Sequence, residues 1–467
     1  MKWIAAIMRE VGAEARRSRT GSGGRGASEW RRVACAVLAL TAAMPTTTVA
    51  QTAPQLDSGD TAWMLTATTL VLLMTIPGLA LFYGGMVRSK NLLSILMQCY
   101  AIAALVSVLW VVYGCSLAFS HAGMHAGVVN LHSIIGGTDR LMLAGLEPAT
   151  LHHTVPESVF VMFQLGFAII TPALIVGAFA ERMKFSAMLW FSGLWLSAVY
   201  LPMVHMVWGG PGSLLGDMGM LDFAGGTVVH IDAGIAGLVA CLVIGKRRGY
   251  PETPMPPHNL GYTVIGGSLI WLGWFGFNAG SAMAANGSAG MAMLVTQTAT
   301  AGGAIGWISV EWLIHRRPSV LGTVSGAVAG LIAVTPAAGT AGPGGALLLG
   351  LLAGPACFYT ATRLKHKLGY DDTLDVFGVN AIAGIIGALL TGPLASAKLG
   401  GFGHVTSLGG QLWIQARGVG FTVIWSAALS LVILKLIDWT LGLRVSEEQE
   451  QIGLDLALHE EKACNPS

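Results

Sequence analysis

The sequence predicts an all-α polytopic membrane protein with eleven transmembrane helices, arranged as an inverted repeat of five plus five helices and a further eleventh helix. Three observations favour this fold class. Of the 467 residues, 54% are hydrophobic and only 11% are charged. Apolar runs of about twenty residues recur along the chain, and two of them share a motif. A soluble domain of this length cannot bury so much apolar surface.

Eleven apolar runs are long enough to cross a hydrocarbon core of about 30 Å as helices. They lie near residues 61–83, 91–119, 158–180, 185–208, 226–245, 261–281, 289–314, 319–337, 342–362, 374–393 and 413–441. The chain also has 63 glycines. Many glycines favour the same interpretation, because helices in lipid pack closely through small residues.

The first fifty residues have the layout of a secretory signal peptide, with a long basic part before the apolar run Val33–Ala43. Small residues within Thr47–Ala50 favour cleavage before Gln51. A start at Met8, or an uncleaved extra helix, are the alternatives. The predicted regions are a basic leader with signal peptide at 1–50, a transmembrane channel domain at 51–443 and a cytoplasmic carboxyl-terminal tail at 444–467.

Basic residues are segregated between alternate links, which predicts the orientation. If the mature amino terminus is outside, the links that face inside carry twelve basic residues and the opposite links carry two, Arg140 and Lys398. The twelve are Arg88, Lys90, Arg182, Lys184, Lys246, Arg247, Arg248, Arg316, Arg317, Arg363, Lys365 and Lys367. By the positive-inside rule the acidic tail from Arg444 is cytoplasmic. We therefore expect a multi-pass protein of the cell inner membrane.

The fifth and tenth runs share a motif. His230–Gly237 aligns with Asn380–Gly387, so that their Ala-Gly-x-x-Gly segments coincide. Because each unit has five helices, the second enters the membrane upside down, as in transporters whose site lies at the repeat interface. Chance similarity between two Gly/Ala-rich helices is the alternative.

Placing a polar side chain at the depth of the bilayer core costs free energy, so each such residue is a candidate for a functional role. The candidates are His205, His230, Asp232, Asn278 and Asn380, with Asp222 near a membrane edge. The alternative for His230 is a hydrogen-bonded core histidine.

Aromatic residues lie toward the outer ends of the third, fourth and sixth runs. They are Phe163, Phe167, Trp208, Trp274, Phe275 and Phe277. An indole face attracts a small cation by about 0.5–2 kcal/mol, and a hydroxyl such as that of Ser281 adds a hydrogen bond. Together they predict a cation site, with an interfacial aromatic belt as the alternative.

Several long motifs resemble those of the ammonium transporter (Amt/Mep/Rh) family, in its bacterial Amt branch. The resemblance covers residues from about 60 to 453. The motifs are Met74–Gly85, His205–Gly210, Asp222–His230, Gly273–Ser281 and Asp375–Val379.

The resemblance implies an external vestibule that recruits ammonium at Trp208, Phe167 and Ser281, beside Phe163. It also implies a gate of Phe167 and Phe277, a pore lined by His230 and Asn380, and Asp222 as a structural residue near the vestibule. The expected partners are ammonium or ammonia and the lipid bilayer, in a homotrimer for nitrogen uptake. The resemblance also implies that a PII-type signal protein binds the carboxyl-terminal tail. The alternative is that the tail is a flexible acidic segment without a partner.

No cofactor, metal, nucleic acid or enzymatic activity is expected. His121, His125, His132, His152 and His153 lie in an external link and lack ordered metal-ligand spacing. An ammonium sensor or regulator with weak conduction is the alternative function.

Two residues depart from the family's pattern. Position 380 is Asn where the family usually has a second histidine, and an amide cannot titrate. Asp232 is two residues past His230, about 200° around a helix, so we expect it to face away from the pore. It either pairs with a neighbouring helix, raises the pKa of His230 or serves as a substitute proton carrier.

Overall fold

The computed structural model describes residues 55–463, so the predicted leader at 1–50 lies outside the described residues. Eleven long helices follow one another in the described part. They are α1 Ser58–Met86, α2 Ser89–Phe119, α3 Glu157–Phe179, α4 Phe185–Trp208, α5 Gly226–Ile244, α6 Leu260–Gly280, α7 Gly287–His315, α8 Val320–Ala337, α9 Pro343–Leu368, α10 Phe377–Leu394 and α11 Leu408–Thr440. Each of the predicted runs falls on one of these helices.

Ten of these helices are long and apolar enough to cross a membrane, within residues 55–463. The protein is therefore a multi-pass membrane protein. The exception is α7, which is 29 residues long but rich in Gly, Thr and Ser. It packs against α8 and α9. A Cβ atom at Gly303 would overlap the carbonyl oxygen of Gly326, so glycine is what permits this close approach.

Helices α5 and α10 cross where the aligned motifs meet. A Cβ atom at Gly234 would overlap the backbone nitrogen of Ala381. Each helix begins with a π-helical turn, Gly226–Ile231 in α5 and Phe377–Ala381 in α10. Single π-helical turns are often found at functional sites, because they reorient side chains within a helix.

The two ends of the bundle differ in structure. One end, here the loop end, carries the segment 120–156, which contains the antiparallel strands β1 Leu151–His152 and β2 Val155–Pro156. The segment is fixed to α3 by an ion pair between Arg140 and Glu157. The other end, here the tail end, carries residues 441–463.

Basic residues of the tail end are buried or half-buried in ion pairs and hydrogen bonds. Arg247 contacts Asp371 at 2.8 Å and Glu181 at 3.3 Å, and Arg88 contacts Glu181 at 2.7 Å. Arg182 is fully buried and donates to five backbone or hydroxyl oxygens, including Gly245 and Asp371 carbonyls. Burial lowers the pKa of Arg182 to about 10. These side chains therefore stabilise the fold as well as setting the charge pattern.

The tail packs against the bundle through two short helices, α12 Glu447–Ile452 and α13 Leu454–His459. The Asp455 carboxylate accepts hydrogen bonds from the backbone N–H groups of Leu93, at 3.0 Å, and Ser94, at 2.7 Å. The Leu454 N–H donates to Asn91 Oδ1 at 2.8 Å. Asp455 therefore caps the first turn of α2, and the described part of the tail is docked rather than free.

Replacing Asp455 with alanine is expected to release the tail. The loss of a helix cap costs about 1 kcal/mol, because the backbone N–H groups of Leu93 and Ser94 lose their acceptor. Limited proteolysis of purified protein should then cleave residues 446–463 faster than in the wild type. Glu448→Ala, on the exposed side of α12, is the matched control and should leave the rate unchanged. Equal cleavage of all three proteins would contradict this account of docking.

Candidate functional site

Two cavities lie on opposite sides of a pair of stacked phenyl rings. The outer cavity, of about 690 Å³, opens at the loop end and is lined by Phe167, Trp208 and Ser281 among others. The inner cavity, of about 190 Å³, is lined by His230 and Asn380 and by mostly apolar side chains. The site therefore consists of an outer cavity with polar lining residues, a stacked aromatic pair and a mostly apolar inner cavity.

Phe167 of α3 and Phe277 of α6 form the stacked aromatic pair. Their ring centroids lie 4.1 Å apart with the planes inclined at 24°, and both rings are buried. Phe163 contacts the edge of Phe167 at 5.0 Å but does not line the outer cavity. It supports Phe167 from behind, because the missing side chain of Gly280 leaves room for its ring.

Trp208 and Ser281 line the base of the outer cavity, beside Phe167. The Trp208 indole N–H donates to the Asp222 carbonyl at 2.8 Å, and the ring lies edge-on to Phe167 at 5.8 Å. The Ser281 hydroxyl donates to the Phe277 carbonyl at 2.8 Å. A hydroxyl that donates its proton keeps its lone pairs. The cavity base thus offers a fixed oxygen acceptor next to aromatic rings, which suits a small cation that donates hydrogen bonds.

Asp222 fixes the start of α5. Its carboxylate accepts hydrogen bonds from the backbone N–H groups of Gly225 at 2.8 Å, Gly226 at 2.6 Å and Thr227 at 2.8 Å, and also from the Thr227 hydroxyl. Burial raises the pKa of this carboxyl, while the hydrogen bonds from Thr227, Gly226 and Gly225 oppose the rise. Because its carbonyl also holds Trp208, Asp222 positions the cavity base and the π-helical turn together.

Replacing Asp222 with asparagine is expected to lower stability and distort the site. The NH2 group of asparagine would face backbone N–H groups that now donate to the carboxylate. Each buried N–H group left without an acceptor costs about 1–3 kcal/mol. Thermal unfolding of the detergent-solubilised protein should begin at lower temperature. Asp217→Asn is the matched control, since Asp217 also accepts from two backbone N–H groups but near the surface. A similar change in both variants would argue against a special role for Asp222.

His230 and Asn380 contact each other at the crossing of α5 and α10. His230 Nδ1 lies 3.2 Å from Asn380 Oδ1. An amide oxygen only accepts hydrogen bonds, so the Nδ1 atom carries the proton of this bond. In a neutral imidazole the other nitrogen, Nε2, then has a free lone pair. Nε2 is buried and has no hydrogen-bond partner among the described residues.

Trp274 stacks on His230, with ring centroids 5.2 Å apart and planes inclined at 14°. Its indole N–H donates to the Thr335 hydroxyl at 2.9 Å, which fixes the ring. The sequence marks Trp274 only as one of several aromatic residues, and no spacing rule predicts that it stacks on His230. The stacking leaves the imidazole edge as the polar part of His230 within the apolar inner cavity.

Other polar residues singled out in the sequence have structural contacts. Both ring nitrogens of His205 lie within hydrogen-bond distance of backbone carbonyls, Ala118 at 2.9 Å and His132 at 2.7 Å. Asn278 donates to the Thr296 hydroxyl at 2.9 Å. His205 therefore ties the loop segment to α4, and Asn278 joins α6 to α7.

The wall of the outer cavity contains residues that the motifs do not indicate. His152 stacks on Phe160 at 3.7 Å, and burial, with the neighbouring His153 charge, lowers the pKa of His152 to about 4. His152 is thus neutral near pH 7 and is not simply a residue of a solvated loop. Across residues 55–463, no group of three or more His, Cys, Asp or Glu side chains is arranged to hold a metal ion.

Asp232 lines neither the inner nor the outer cavity, in agreement with its position on the helix. Its side chain is fully buried, and neither carboxyl oxygen has a hydrogen-bond partner among the described residues. The expected pairing with a neighbouring helix through the carboxyl is therefore wrong. Only the backbone carbonyl of Asp232 is paired, since it accepts from the Ser426 hydroxyl at 2.8 Å.

Comparisons with known proteins cover most of the chain. The sequence model of the Ammonium Transporter Family matches residues 62–464. An ammonium transporter of Bacillus subtilis is 47% identical over 417 residues, which cover 88% of this chain and all of that protein. The ammonium transporter Amt1 of Archaeoglobus fulgidus is 40% identical, over 87% of this chain and all of that protein.

Solved structures have the same architecture. The crystal structure of Mep2 from Candida albicans superposes with a TM-score of 0.77 at 32% identity, covering 85% of this chain and 88% of that one. A structure described as a sensor Amt protein gives a TM-score of 0.78 at 26% identity, covering 86% of this chain and 98% of that one. The sequence match and the identity to relatives over their full length show that the chain belongs to the Ammonium Transporter Family.

Proposed function

We propose that this protein recruits ammonium at the outer cavity and conducts ammonia, or ammonium as ammonia plus a proton, through the inner cavity of each subunit. One observation carries the proposal. The stacked rings of Phe167 and Phe277 lie between a cavity that suits a cation and an apolar cavity lined by His230, whose Nε2 atom has no hydrogen-bond partner among residues 55–463.

The protons of ammonium are what distinguish it physically from potassium. Ammonium and potassium are similar in size, but ammonium donates directional hydrogen bonds and can lose a proton. A charge near the bilayer centre costs several kcal/mol, whereas neutral ammonia costs far less. An apolar passage behind an aromatic closure therefore favours ammonia and excludes potassium. His230 Nε2 would accept a hydrogen bond from ammonia there, while Asn380 holds the imidazole in the required tautomer.

The proposed topology has eleven spans, with α7 as the seventh, in an inverted repeat of five plus five helices. The matching π-helical turns of α5 and α10 support the repeat. The loop end would face outside and the tail end the cytoplasm, in the inner membrane, in agreement with the basic residues near the tail end. Residues 444–467 would then form a cytoplasmic tail.

Two partners are proposed from the family resemblance. One is a second and third copy of this chain in a homotrimer, and the other is a PII-type signal protein at the tail end. Cross-linking in membranes tests the first, and co-purification with a PII-type protein tests the second. Catalysis is not part of the proposal, since the family consists of transporters.

Uptake into proteoliposomes tests the proposed function. Vesicles with an entrapped pH dye should become alkaline faster than empty vesicles when an inward ammonia gradient is applied. A labelled methylammonium analogue should accumulate and compete with ammonium. Protein that is folded, as judged by its thermal transition, but transports neither species would contradict the proposal.

An ammonium sensor with weak conduction is the second candidate function. Two observations favour it, the similarity to a structure described as a sensor Amt protein and the non-titratable Asn380 in the pore. Such a sensor would bind ammonium, detected as a rise in the unfolding temperature, yet uptake in the same vesicles would be close to that of vesicles without protein. The two candidate functions thus give opposite results in one experiment.

A further inference from the structure

The inner cavity extends from His230 and Asn380 to a second group of polar side chains. Trp307 and Glu311 on α7 and Gly322 on α8 line this same cavity. They lie toward the tail end, because α6 ends beside the outer cavity and α7 runs back from there. These three residues, here the tail-side group, are therefore farther from the outer cavity than His230 is.

Trp307 has a buried polar atom without a partner. The residue is only 5% exposed, and its ring packs edge-on against Phe358 with the centroids 5.6 Å apart. Its indole N–H is buried and has no hydrogen-bond partner among residues 55–463. By contrast, the indole N–H of Trp274, which lines the same cavity, donates to the Thr335 hydroxyl. Since buried N–H groups are nearly always paired, the one on Trp307 indicates a ligand that the described chain does not supply.

Gly322 leaves a small space next to this N–H group. A Cβ atom at position 322 would come within 3.0 Å of both Trp307 Nε1 and Glu311 Oε2. Because Trp307 and Glu311 are four residues apart on α7, their side chains lie on the same face of the helix. A hydrogen-bond donor and a hydrogen-bond acceptor therefore face the same space, and glycine keeps that space open.

Glu311 is fixed in position by the residue that precedes α8. Its Oε1 atom accepts from the Ser319 hydroxyl at 2.7 Å, and its Oε2 atom accepts from the Ser319 backbone N–H at 3.0 Å. The carboxylate forms no ion pair with the described part of the chain. An ionised carboxylate has about four acceptor sites, so Oε2 can accept a further hydrogen bond from a ligand.

These two groups together define the chemistry of the ligand. The Trp307 N–H needs an acceptor, and the Glu311 carboxylate needs a donor. Ammonium has N–H bonds but no lone pair, so it cannot accept from the indole. An inorganic anion is repelled by the carboxylate, and potassium is repelled by the N–H group. Ammonia has both a lone pair and N–H bonds and therefore satisfies both groups, and water is its competitor for the space.

We propose that Trp307 and Glu311 form a second substrate site, which binds ammonia at the tail side of the inner cavity. The nitrogen atom of ammonia accepts from the Trp307 N–H, and one of its N–H bonds donates to Glu311 Oε2. This inference rests on the proposed function, because the ammonia that reaches the site has first passed His230. His230 Nε2 accepts from ammonia, whereas Trp307 donates to it, so the second site selects the unprotonated species.

Trp307→Phe in proteoliposomes is the first test, because phenylalanine keeps an aromatic ring against Phe358 but lacks the N–H group. Ammonia flux should fall about fivefold, the effect of losing one hydrogen bond of about 1 kcal/mol. Trp271→Phe is the matched control, since the Trp271 N–H donates to Gln297 at 3.1 Å and the residue lines neither cavity. Flux through this control should equal that of the wild type.

Ultraviolet resonance Raman spectroscopy gives a readout that does not depend on transport, because an indole band reports the hydrogen bonding of the N–H group. Ammonia should shift this band in wild type and in Trp271→Phe but not in Trp307→Phe. When the pH is changed at constant total ammonium, the shift should follow the concentration of free ammonia. If Trp307→Phe does not fold, Gly322→Ala carries the test, since its methyl group fills the space and should abolish the shift.

The outcomes separate the two proposals. Ammonia flux in the wild type, with equal flux in Trp307→Phe and no Raman shift, would mean that only water occupies the space. That result would overturn the second site and leave the proposed function standing. A fivefold loss of flux without the shift would make Trp307 a wall of the cavity rather than a ligand, and would also overturn the site. Folded wild type with neither flux nor shift would overturn the proposed function and this inference with it.

Discussion

The double variant Phe167→Ala/Phe277→Ala is expected to conduct potassium. The two rings stack at 4.1 Å, and in the proposed function they close the route between the outer and inner cavities. Removing both joins the cavities and lets water reach the apolar passage, which lowers the barrier that a charge meets there. Since each 1.4 kcal/mol changes a rate about tenfold, and a dry barrier for an ion amounts to several kcal/mol, the selectivity for ammonium over potassium should fall by at least about tenfold.

Potassium-driven current in proteoliposomes measures this loss of selectivity. Phe163→Leu is the matched control, because Phe163 contacts Phe167 at its edge but lies outside the outer cavity. We expect the control to remain selective, with at most reduced stability. If the double variant still excludes potassium, the stacked pair is not the element that keeps the passage dry, and the selectivity barrier lies at the inner cavity.

The second large effect is expected for His230→Phe, which keeps a ring against Trp274 but removes the Nε2 acceptor. Ammonia that enters the apolar inner cavity would then lack this hydrogen-bond partner. An unmade hydrogen bond in a buried site costs about 1–3 kcal/mol, so ammonia flux should fall by roughly ten- to a hundredfold.

Stopped-flow alkalinisation of dye-loaded vesicles measures this flux. The control is His404→Phe, at an exposed position outside the helices. The unfolding temperature of His230→Phe should fall only modestly, because the phenyl ring fills the same space and only the hydrogen bond to Asn380 is lost. Unchanged flux through His230→Phe would mean that the imidazole only fills space, and would exclude it as a ligand for ammonia.

Much of the bundle follows from the sequence because the cost of burying a backbone polar group in lipid forces each long apolar run into a helix. The limits of the runs are less predictable. Helix α11 begins at Leu408, before the apolar run near 413, because the Ser407 side chain caps the helix by accepting from Gly410 at 3.1 Å. Helix α9 similarly continues past the predicted end to Leu368 through a π-helical turn.

The internal repeat in the sequence predicts the contact between positions 230 and 380, since the repeat makes the two positions symmetry partners. The tautomer that this contact imposes on His230 could not be predicted from the sequence, because it depends on a distance between two side chains. The helical angle between His230 and Asp232 predicted that Asp232 faces away from the pore. It could not predict that the carboxyl has no partner, which depends on which residues α3, α4 and α11 present to it.

Docking of the tail was likewise beyond the sequence pattern. An acidic segment after the last helix is typical of a solvated tail, and the cap that Asp455 provides joins residues far apart in the chain. The arginines of the tail end are a similar case. Their count predicts orientation, but the burial of Arg182 and Arg247 in specific hydrogen bonds and ion pairs depends on how the helices pack.

The most direct test of the central claim records ammonia flux and potassium flux in the same wild-type proteoliposomes. We expect rapid internal alkalinisation on addition of ammonium, together with potassium flux no greater than in vesicles without protein. Folded protein that produces no alkalinisation, or that passes potassium as readily as ammonium, would contradict it.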